Sequence, residues 1–477
     1  MTTTTTLGMK DFITDPVEYF DWSATRLWSM PDADREAFQL AGLKYRFEQL
    51  RDNIPYLKKL ADADDVQSID TLDDAVPLLF EHTVYKSYPS SLLTDNKFGM
   101  INSWLGKLTT HDIKHIDVSH CDSIDSWIDV MDEESPLIVH HSSGTTGTVS
   151  LFPKAKDEFE RFGKQYALRF QRFGEPRPND ASPQAHVIVP SYRYGGSGHF
   201  RINDVYEKHV AKGDPDFMHI AFPGKMSADI LYLAGRIRAA KAKGQLDRLE
   251  VPESLLSRLD QFEANAGERG RQMQEFLDGI TSKLAGERVW MAVAPTYLWP
   301  LAEKALAQGK SNLFAPDSVI STGGGAKGMV LPDNWREEVG RFGGTGRIPM
   351  NYSMTELTGS NLDCEKGHYH IAPWLIPFVL DPDTSKPLPR TGRVTGRMAF
   401  YDLLPDTHWG GFISGDEVTI TWDKPCGCGR TGPYLDGKIG RYSEQRGGDD
   451  KISCAASYDA HEEAMDFLTG IQIAGAQ

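Results

Sequence analysis

The 477-residue chain has no apolar run approaching 18 residues, which excludes a membrane-spanning helix on sequence grounds. It has no block of Lys and Arg. With 51 basic and 67 acidic residues its formal net charge is −16, so the electrostatic footprint of a nucleic-acid or anionic-membrane partner is missing. Cysteine is scarce and odd in number: Cys121, Cys364, Cys426, Cys428 and Cys454. The opening MTTTTTLGMKDF lacks the apolar segment of a secretory signal and reads as a disordered tail. Together these features imply a reduced, cytoplasmic protein without a disulfide framework. There are no internal repeats, and the Thr run is the single low-complexity segment.

What is present is ordinary globular composition, 40% hydrophobic and 25% charged, enough for one large domain or a few smaller ones. The stretch that organises it is His140–Ser150, HHSSGTTGTVS, where Ser, Thr and Gly fill positions 142–148. Gly144 and Gly147 free the backbone, and the hydroxyls of Ser142, Ser143, Thr145 and Thr146 add donors to its N–H groups. Such a loop suits a phosphate chain, although a plain surface turn has the same composition. It lacks the Gly-Lys-Ser/Thr ending of a Walker loop.

Leu43, Phe47, Leu50, Ile54 and Leu57 keep helical spacing, with Pro55 dividing the stripe, so residues 1–110 are expected to be mostly short helices. Short apolar runs at 136–140, 185–190 (AHVIVP), 289–293 (VWMAV) and 318–322 (SVIST) read as strands alternating with helices. Several end in Gly, Ser and Thr, the pattern of a parallel α/β sheet that gathers ligand at its carboxyl edge. Beyond residue 365, the segments 371–378, 393–401 and 417–421 read as a small β-rich subdomain.

Four segments in order carry a family resemblance: SSGTTG at 142–147, STGGGAKG at 321–328, NYSMTE at 351–356, and ISGDEV at 413–418 followed by GKIGR at 437–441. Over residues 40–445 the chain resembles the adenylate-forming ligases. NIPYLKKL, TLDDAVPLL and CGCGRTGP look like phenylacetate-CoA-ligase-like enzymes. The GGGAK segment and the early part of the chain look like the fatty-acyl-protein synthetases. The resemblance implies an α/β large domain with parallel or mixed sheets flanked by helices, plus a small β subdomain. Its expected parts are a helical segment 1–110, an α/β core 111–365, the β-rich 366–440, and a hinge with a vestigial segment at 441–477.

The resemblance also implies activation of a carboxylic acid with ATP and Mg²⁺, followed by acyl transfer to CoA, a carrier protein, an amine or a partner enzyme. A homodimer is a family tendency. Ser142, Ser143, Gly144, Thr145, Thr146 and Gly147 would hold the β- and γ-phosphates. Gly324, Gly325 and Ala326 would let adenine approach the backbone, and Tyr352 would stack on it. Asp416 would accept from the ribose hydroxyls and Arg441 would contact ribose or phosphate. Thr355 would meet a phosphate, Glu356 would hold Mg²⁺, and Lys327 would meet a carboxylate. Tyr192, Tyr194, Gly196, His199 and Phe200 would form the wall of the acid site.

Many adenylating enzymes end the loop in Pro-Lys, where this chain has Val149 and Ser150; Lys154 and Lys156 are the nearest replacements. A second constellation is Cys364, His370, Cys426 and Cys428, which relatives of this pattern share as a structural Zn²⁺ set. Reduced cysteines in a β subdomain are the other reading. Only 36 residues follow Arg441, where relatives carry a small mobile domain with a catalytic Lys. Lys451 is a partial substitute and Cys454 a candidate acyl carrier. The different-class alternative is a non-catalytic nucleotide-binding or interaction protein.

Overall fold

The computed structural model describes residues 8–20, 23–142, 148–168, 183–251, 253–325, 329–442, 464–465 and 467. Short apolar strands interleaved with helices build a six-stranded sheet. Its order is Met218–Met226, His186–Gly195, Val289–Ala292, Val319–Gly323, Met350–Tyr352 and Asn361–Leu362. All neighbours are parallel except the last pair. The expected strands at 289–293 and 318–322 are present. The strand expected over 185–190 runs on to Gly195, so the first half of SYRYGGSGHF is sheet and its last three residues begin a helix.

A seven-stranded, mostly antiparallel sheet fills the later part of the chain. Its long strands are Leu375–Leu380, Arg393–Asp402 and Gly411–Thr421. The short strand Phe80–Glu81 joins Gly411–Thr421 in parallel, and Gly440–Arg441 joins it antiparallel.

The helical stripe forms as its spacing requires. Leu43, Phe47 and Leu50 lie on the helix Asp32–Leu50, and Leu57 lies on Pro55–Ala63, all buried. Pro55 is the first residue of the second helix, where its missing N–H costs nothing. Both helices pack on the seven-stranded sheet, so residues 12–85 and 369–435 share one hydrophobic core. Polar staples fix this packing. Arg35 donates to the carbonyl of Ile371 at 3.2 Å, and Gln39 donates to those of Pro373 and Leu375 at 3.0 and 3.1 Å. No helix among the described residues is long and apolar enough to cross a membrane.

The segment after the Ser/Thr/Gly loop is a strand before it is a helix. Leu137–His141 and Leu151–Ala155 pair as an antiparallel hairpin, and the helix Lys156–Ala167 follows. This helix lies against Gly198–His209. A Cβ at Gly163 would meet His209 Cδ2 at 2.6 Å and Val205 Cγ1 at 2.9 Å, so glycine sets the close approach.

Candidate active site

The loop stands on a closed base. Ser142 donates its N–H to the carbonyl of Ser150 at 3.0 Å, and Ser150 returns its N–H to Ser142 Oγ at 2.9 Å. Ser143, Gly144, Thr145, Thr146 and Gly147 lie outside the described residues, as do Ala326, Lys327, Lys451 and Cys454. Val149 is buried, its carbonyl accepting from the Tyr88 hydroxyl at 2.5 Å, and Ser150 is buried beside it. Neither position presents a cation. The cation arrives from the strand instead: Lys154, 6% exposed, donates from Nζ to the carbonyl of Leu357 at 2.8 Å. Lys156 turns the other way, to the carbonyl of Ser135.

At the carboxyl edge of the parallel sheet, the chain after Met350–Tyr352 turns through Ser353–Gly359. Asp402, fully buried, shapes this turn. Its Oδ2 accepts from Thr358 N at 2.7 Å and Gly359 N at 2.9 Å, while Oδ1 accepts from Leu404 N at 2.9 Å. The Tyr352 hydroxyl donates to Asp416 Oδ2 at 2.8 Å, and Arg441 Nε lies 3.5 Å from Asp416 Oδ1 across paired strands. The Tyr352 ring is largely buried, with Tyr369 and Phe400 as aromatic neighbours, and its hydroxyl is committed to Asp416.

Glu356 sits on the turn with part of its surface open. Burial pushes its carboxyl up from the ordinary range and Asp416 adds to this, against the opposite pull of Lys154 and Arg441. Burial also raises Asp402 and brings the Lys154 ammonium down to about 8. Glu356 thus feels the charges of Lys154, Asp416 and Arg441, and Asp416 and Arg441 pair with each other. The spacings of the four in sequence are 202, 60 and 25 residues.

Beside this cluster is a cavity of about 230 Å³. Strand ends supply Ala292–Ala294, Ser321–Gly324 and Asn351; the turn supplies Thr355, Leu357 and Gly359; the two close helices supply Phe159, Phe162, Tyr166, His199 and Tyr206. Gly324 and Gly325 have φ of +82° and +70°, a left-handed turn that favours glycine and ends the strand at the cavity. A Cβ at Gly323 would meet the Asn351 carbonyl at 2.4 Å.

Of the expected acid-site wall, His199 lines this cavity and the other four residues do not. Tyr192 packs on Phe222. Tyr194 is 51% exposed under the Arg193 guanidinium, and Gly196 and Phe200 line a separate hollow with it. The segment is divided between two elements: Tyr192 and Tyr194 lie on the strand, Gly196 follows it, and Phe200 belongs to the helix Gly198–His209. The aromatic wall comes instead from Phe159, Phe162 and Tyr166, spaced three and four apart on a helix face. That spacing was present in the sequence as a signal of burial, without saying against what.

Glu158 anchors the base of the same helix. Oε1 accepts from Asp406 N, Thr407 N and Thr407 Oγ1; Oε2 accepts from Ala155 N and lies 3.2 Å from His408 Nδ1. Burial alone would raise its pKa, but His408 and these hydrogen bonds hold it far below the ordinary carboxylate range. A depressed carboxyl stabilises the fold above its unfolded value of about 4.3 and loses that contribution as pH falls below it. Glu158→Gln is expected to cost about 3–5 kcal/mol at pH 7, because it leaves buried donors and His408 without their anion. The difference from wild type in urea midpoint should shrink on acidification.

The Cys/His set is also brought together. Cys364 and His370 flank a tight turn in which Cys364 N donates to the His368 carbonyl at 2.8 Å and Gly367 N donates to the Cys364 carbonyl at 2.8 Å. Cys426 and Cys428 come from the loop after Gly411–Thr421. One ligand atom of each of Cys364, His370, Cys426 and Cys428 lies within 4.8 Å of the others. Cys364 Sγ and Cys426 Sγ are 3.8 Å apart, and Cys428 Sγ is 3.2 Å from His370 Nε2. A tetrahedron with Zn–S bonds of ~2.3 Å has an edge of about 3.8 Å, so the set fits zinc. His368 stands outside it, stacked on Tyr434 with Nδ1 3.2 Å from Cys426 Sγ.

No protein-family model and no curated protein matches the chain. Among solved structures it is similar to a 2-hydroxyisobutyryl-CoA ligase in an open conformation with 2-HIB-AMP and CoA: 14% identity over 87% of this chain and 72% of that one, TM-score 0.48. The same ligase in its postadenylation state gives 14% identity over 88% and 70%, TM-score 0.49. ATP-bound MatB from Rhodopseudomonas palustris gives 16% over 64% and 47%, TM-score 0.34. Similarity at this level leaves the reaction to be argued from the residues.

Proposed function

We propose that the protein is an adenylate-forming ligase that joins a carboxylic acid, aryl or fatty, to the α-phosphorus of ATP. A carboxylate oxygen forms the new P–O bond, the bond from the α-phosphorus to the bridging oxygen breaks, and pyrophosphate leaves. The observation that carries this is that Glu356 feels the charges of Lys154, Asp416 and Arg441, drawn from separate segments, on a turn whose Thr355 and Leu357 line one cavity together with Lys154.

In this reading Asp416, oriented by the Tyr352 hydroxyl and Arg441, accepts from both ribose hydroxyls. Gly324, Gly325 and Ala326 lie along adenine, with Lys327 close to the acid. The loop 142–147 and Thr355 contact the phosphates. Glu356 fits a magnesium ligand, since a carboxylate raised by burial beside a second carboxylate gains from a divalent cation. The metal would supply charge neutralisation across the phosphates. Cys364, His370, Cys426 and Cys428 would hold a structural zinc away from the chemistry. The acyl group then passes to a thiol or amine acceptor: CoA, a carrier protein, an amine or a partner enzyme.

Exchange of labelled pyrophosphate into ATP tests the reading. Acid-dependent and Mg²⁺-dependent exchange is expected. Absence of exchange with every aryl and fatty acid, together with absence of ATP binding by calorimetry, would refute it.

A further inference from the structure

The cavity beside the charge cluster has three chemically distinct sides. One is a continuous aromatic wall. Phe159 and Phe162 stack at 5.4 Å with an interplanar angle of 20°, Tyr166 follows Phe162 at 4.8 Å, and Tyr206 follows Tyr166 at 5.7 Å. Phe159 and Phe162 are near-parallel and Tyr166 and Tyr206 follow edge-to-face, a wall that favours an aromatic ligand. The volume, about 230 Å³, lies below the roughly 300–1,000 Å³ typical of pockets that enclose drug-sized ligands. One or two rings fit such a space.

The second side is a single cation. Lys154 is the one Lys or Arg among the described lining residues. An ammonium has three N–H donors, and the Leu357 carbonyl takes one. His140 lines the cavity next to it, but burial and the charge of Lys154 hold its imidazole neutral, with Nδ1 donating to the Ile138 carbonyl. Lys154 faces Asp402, Glu158 and Glu356. The first two already accept several hydrogen bonds each and hold loops in place. The third side is the sheet edge. There the buried hydroxyls of Ser321 and Thr322, each 2% exposed, have no hydrogen-bond partner among the described residues. Buried hydroxyls left in that state mark a place for a ligand's polar group.

Resting on the adenylation reading, we propose that this cavity takes a compact aromatic carboxylate, its carboxylate on Lys154 Nζ and its ring against Phe159, Phe162 and Tyr166. Ser321 and Thr322 then serve a hydroxyl, amino or ring-nitrogen substituent. The chain thereby replaces the missing loop Lys with one that reads the acid rather than the phosphates. A carboxylate on Lys154 also lies beside Leu357 and Thr355, on the turn that carries Glu356, the residue that would hold the metal.

Pyrophosphate exchange with phenylacetate, 1-naphthoate, 3-hydroxy-2-naphthoate, hexanoate and palmitate, in wild type and in Lys154→Met and Lys154→Arg, tests this. Wild type is expected to use the aromatic acids, with the hydroxylated one ahead of its parent, and to give no exchange with palmitate. Lys154→Met should raise the KM for the acid by about 10- to 100-fold at nearly unchanged ATP KM, with Lys154→Arg recovering part of the loss. Preference for palmitate overturns the proposal. So does an effect of Lys154→Met on ATP KM alone, which would assign the amine to a phosphate, or unchanged kinetics for both substrates. If Lys154→Met fails to fold by circular dichroism, Phe162→Ala and Thr322→Val carry the test: each should shift the ranking among the aromatic acids, and an unaltered ranking in both counts against the pocket. Absence of exchange in wild type with any acid strikes the adenylation reading itself, and is thereby distinguished from exchange that ignores Lys154.

Discussion

Glu356→Gln is expected to lower adenylate formation by about 10²- to 10³-fold, the scale on which removal of one charge-stabilising group at a transition state acts. The substitution keeps size and one acceptor oxygen, so packing of the Ser353–Gly359 turn survives, fixed from below by Asp402 and Lys154. What disappears is the negative charge that, in the proposed reaction, would hold a magnesium ion. The loss should therefore appear in kcat of pyrophosphate exchange and in the Mg²⁺ concentration required, more than in ATP affinity measured without metal. Stability should move in the other direction. Burial and Asp416 raise the Glu356 carboxyl, so its ionised form burdens the fold above its folded pKa, and that burden lifts on acidification. The Gln variant is expected to melt at or slightly above wild type near pH 8. A variant that loses activity and stability together would instead make Glu356 a structural residue.

The second large effect concerns the Cys/His set. Full-length protein purified without chelator is expected to carry one zinc per chain by elemental analysis, and Cys364→Ser or Cys426→Ser to carry none. Structural zinc contributes on the order of 10 kcal/mol in zinc-finger peptides, because the site does not exist in the unfolded chain. Here the ligands tie the turn at 364–370 to the loop at 426–428, and both flank the short paired strands Tyr369–His370 and Tyr434–Leu435. Loss of metal should lower the melting temperature and loosen this edge of the sheet first, seen as faster amide exchange at 364–370 and 426–435. His368→Ala is expected to keep the zinc, since His368 lies outside the four. Metal-free wild type with unchanged melting temperature would leave reduced cysteines as the correct description.

Some parts of the proposed site were legible because they are short local patterns. The glycines at 323–325 end one strand and the turn 353–359 follows another, while Asp416 and Arg441 sit opposite each other on paired strands and the Tyr352 hydroxyl reaches Asp416. The parts that were not legible depend on long-range burial. Lys154 lies in LFPKA, a strand whose five residues are all buried, and nothing local says that its amine reaches a carbonyl 203 residues away. Asp402 ends an apolar run and reads as a turn residue; only the fold delivers the three backbone N–H groups that surround it. Tyr192–Phe200 divides between a strand that runs to Gly195 and a helix that starts at Gly198, a break that local composition does not mark, and of its aromatic-wall residues His199 lines the cavity.

The shared core of residues 12–85 and 369–435 bears on how the chain is made. Arg35 and Gln39 find their carbonyl partners 334–336 residues later, so a ribosome has released most of the polypeptide before the first helices meet the surface they cover. At about 5–20 residues per second that interval is tens of seconds, during which the apolar faces of Asp32–Leu50 and Pro55–Ala63 wait in water. Contacts of such sequence separation also slow the search itself. Nascent chains halted before residue 369 are therefore expected to recruit chaperones through their first sixty residues, and to release them once the sheet has emerged.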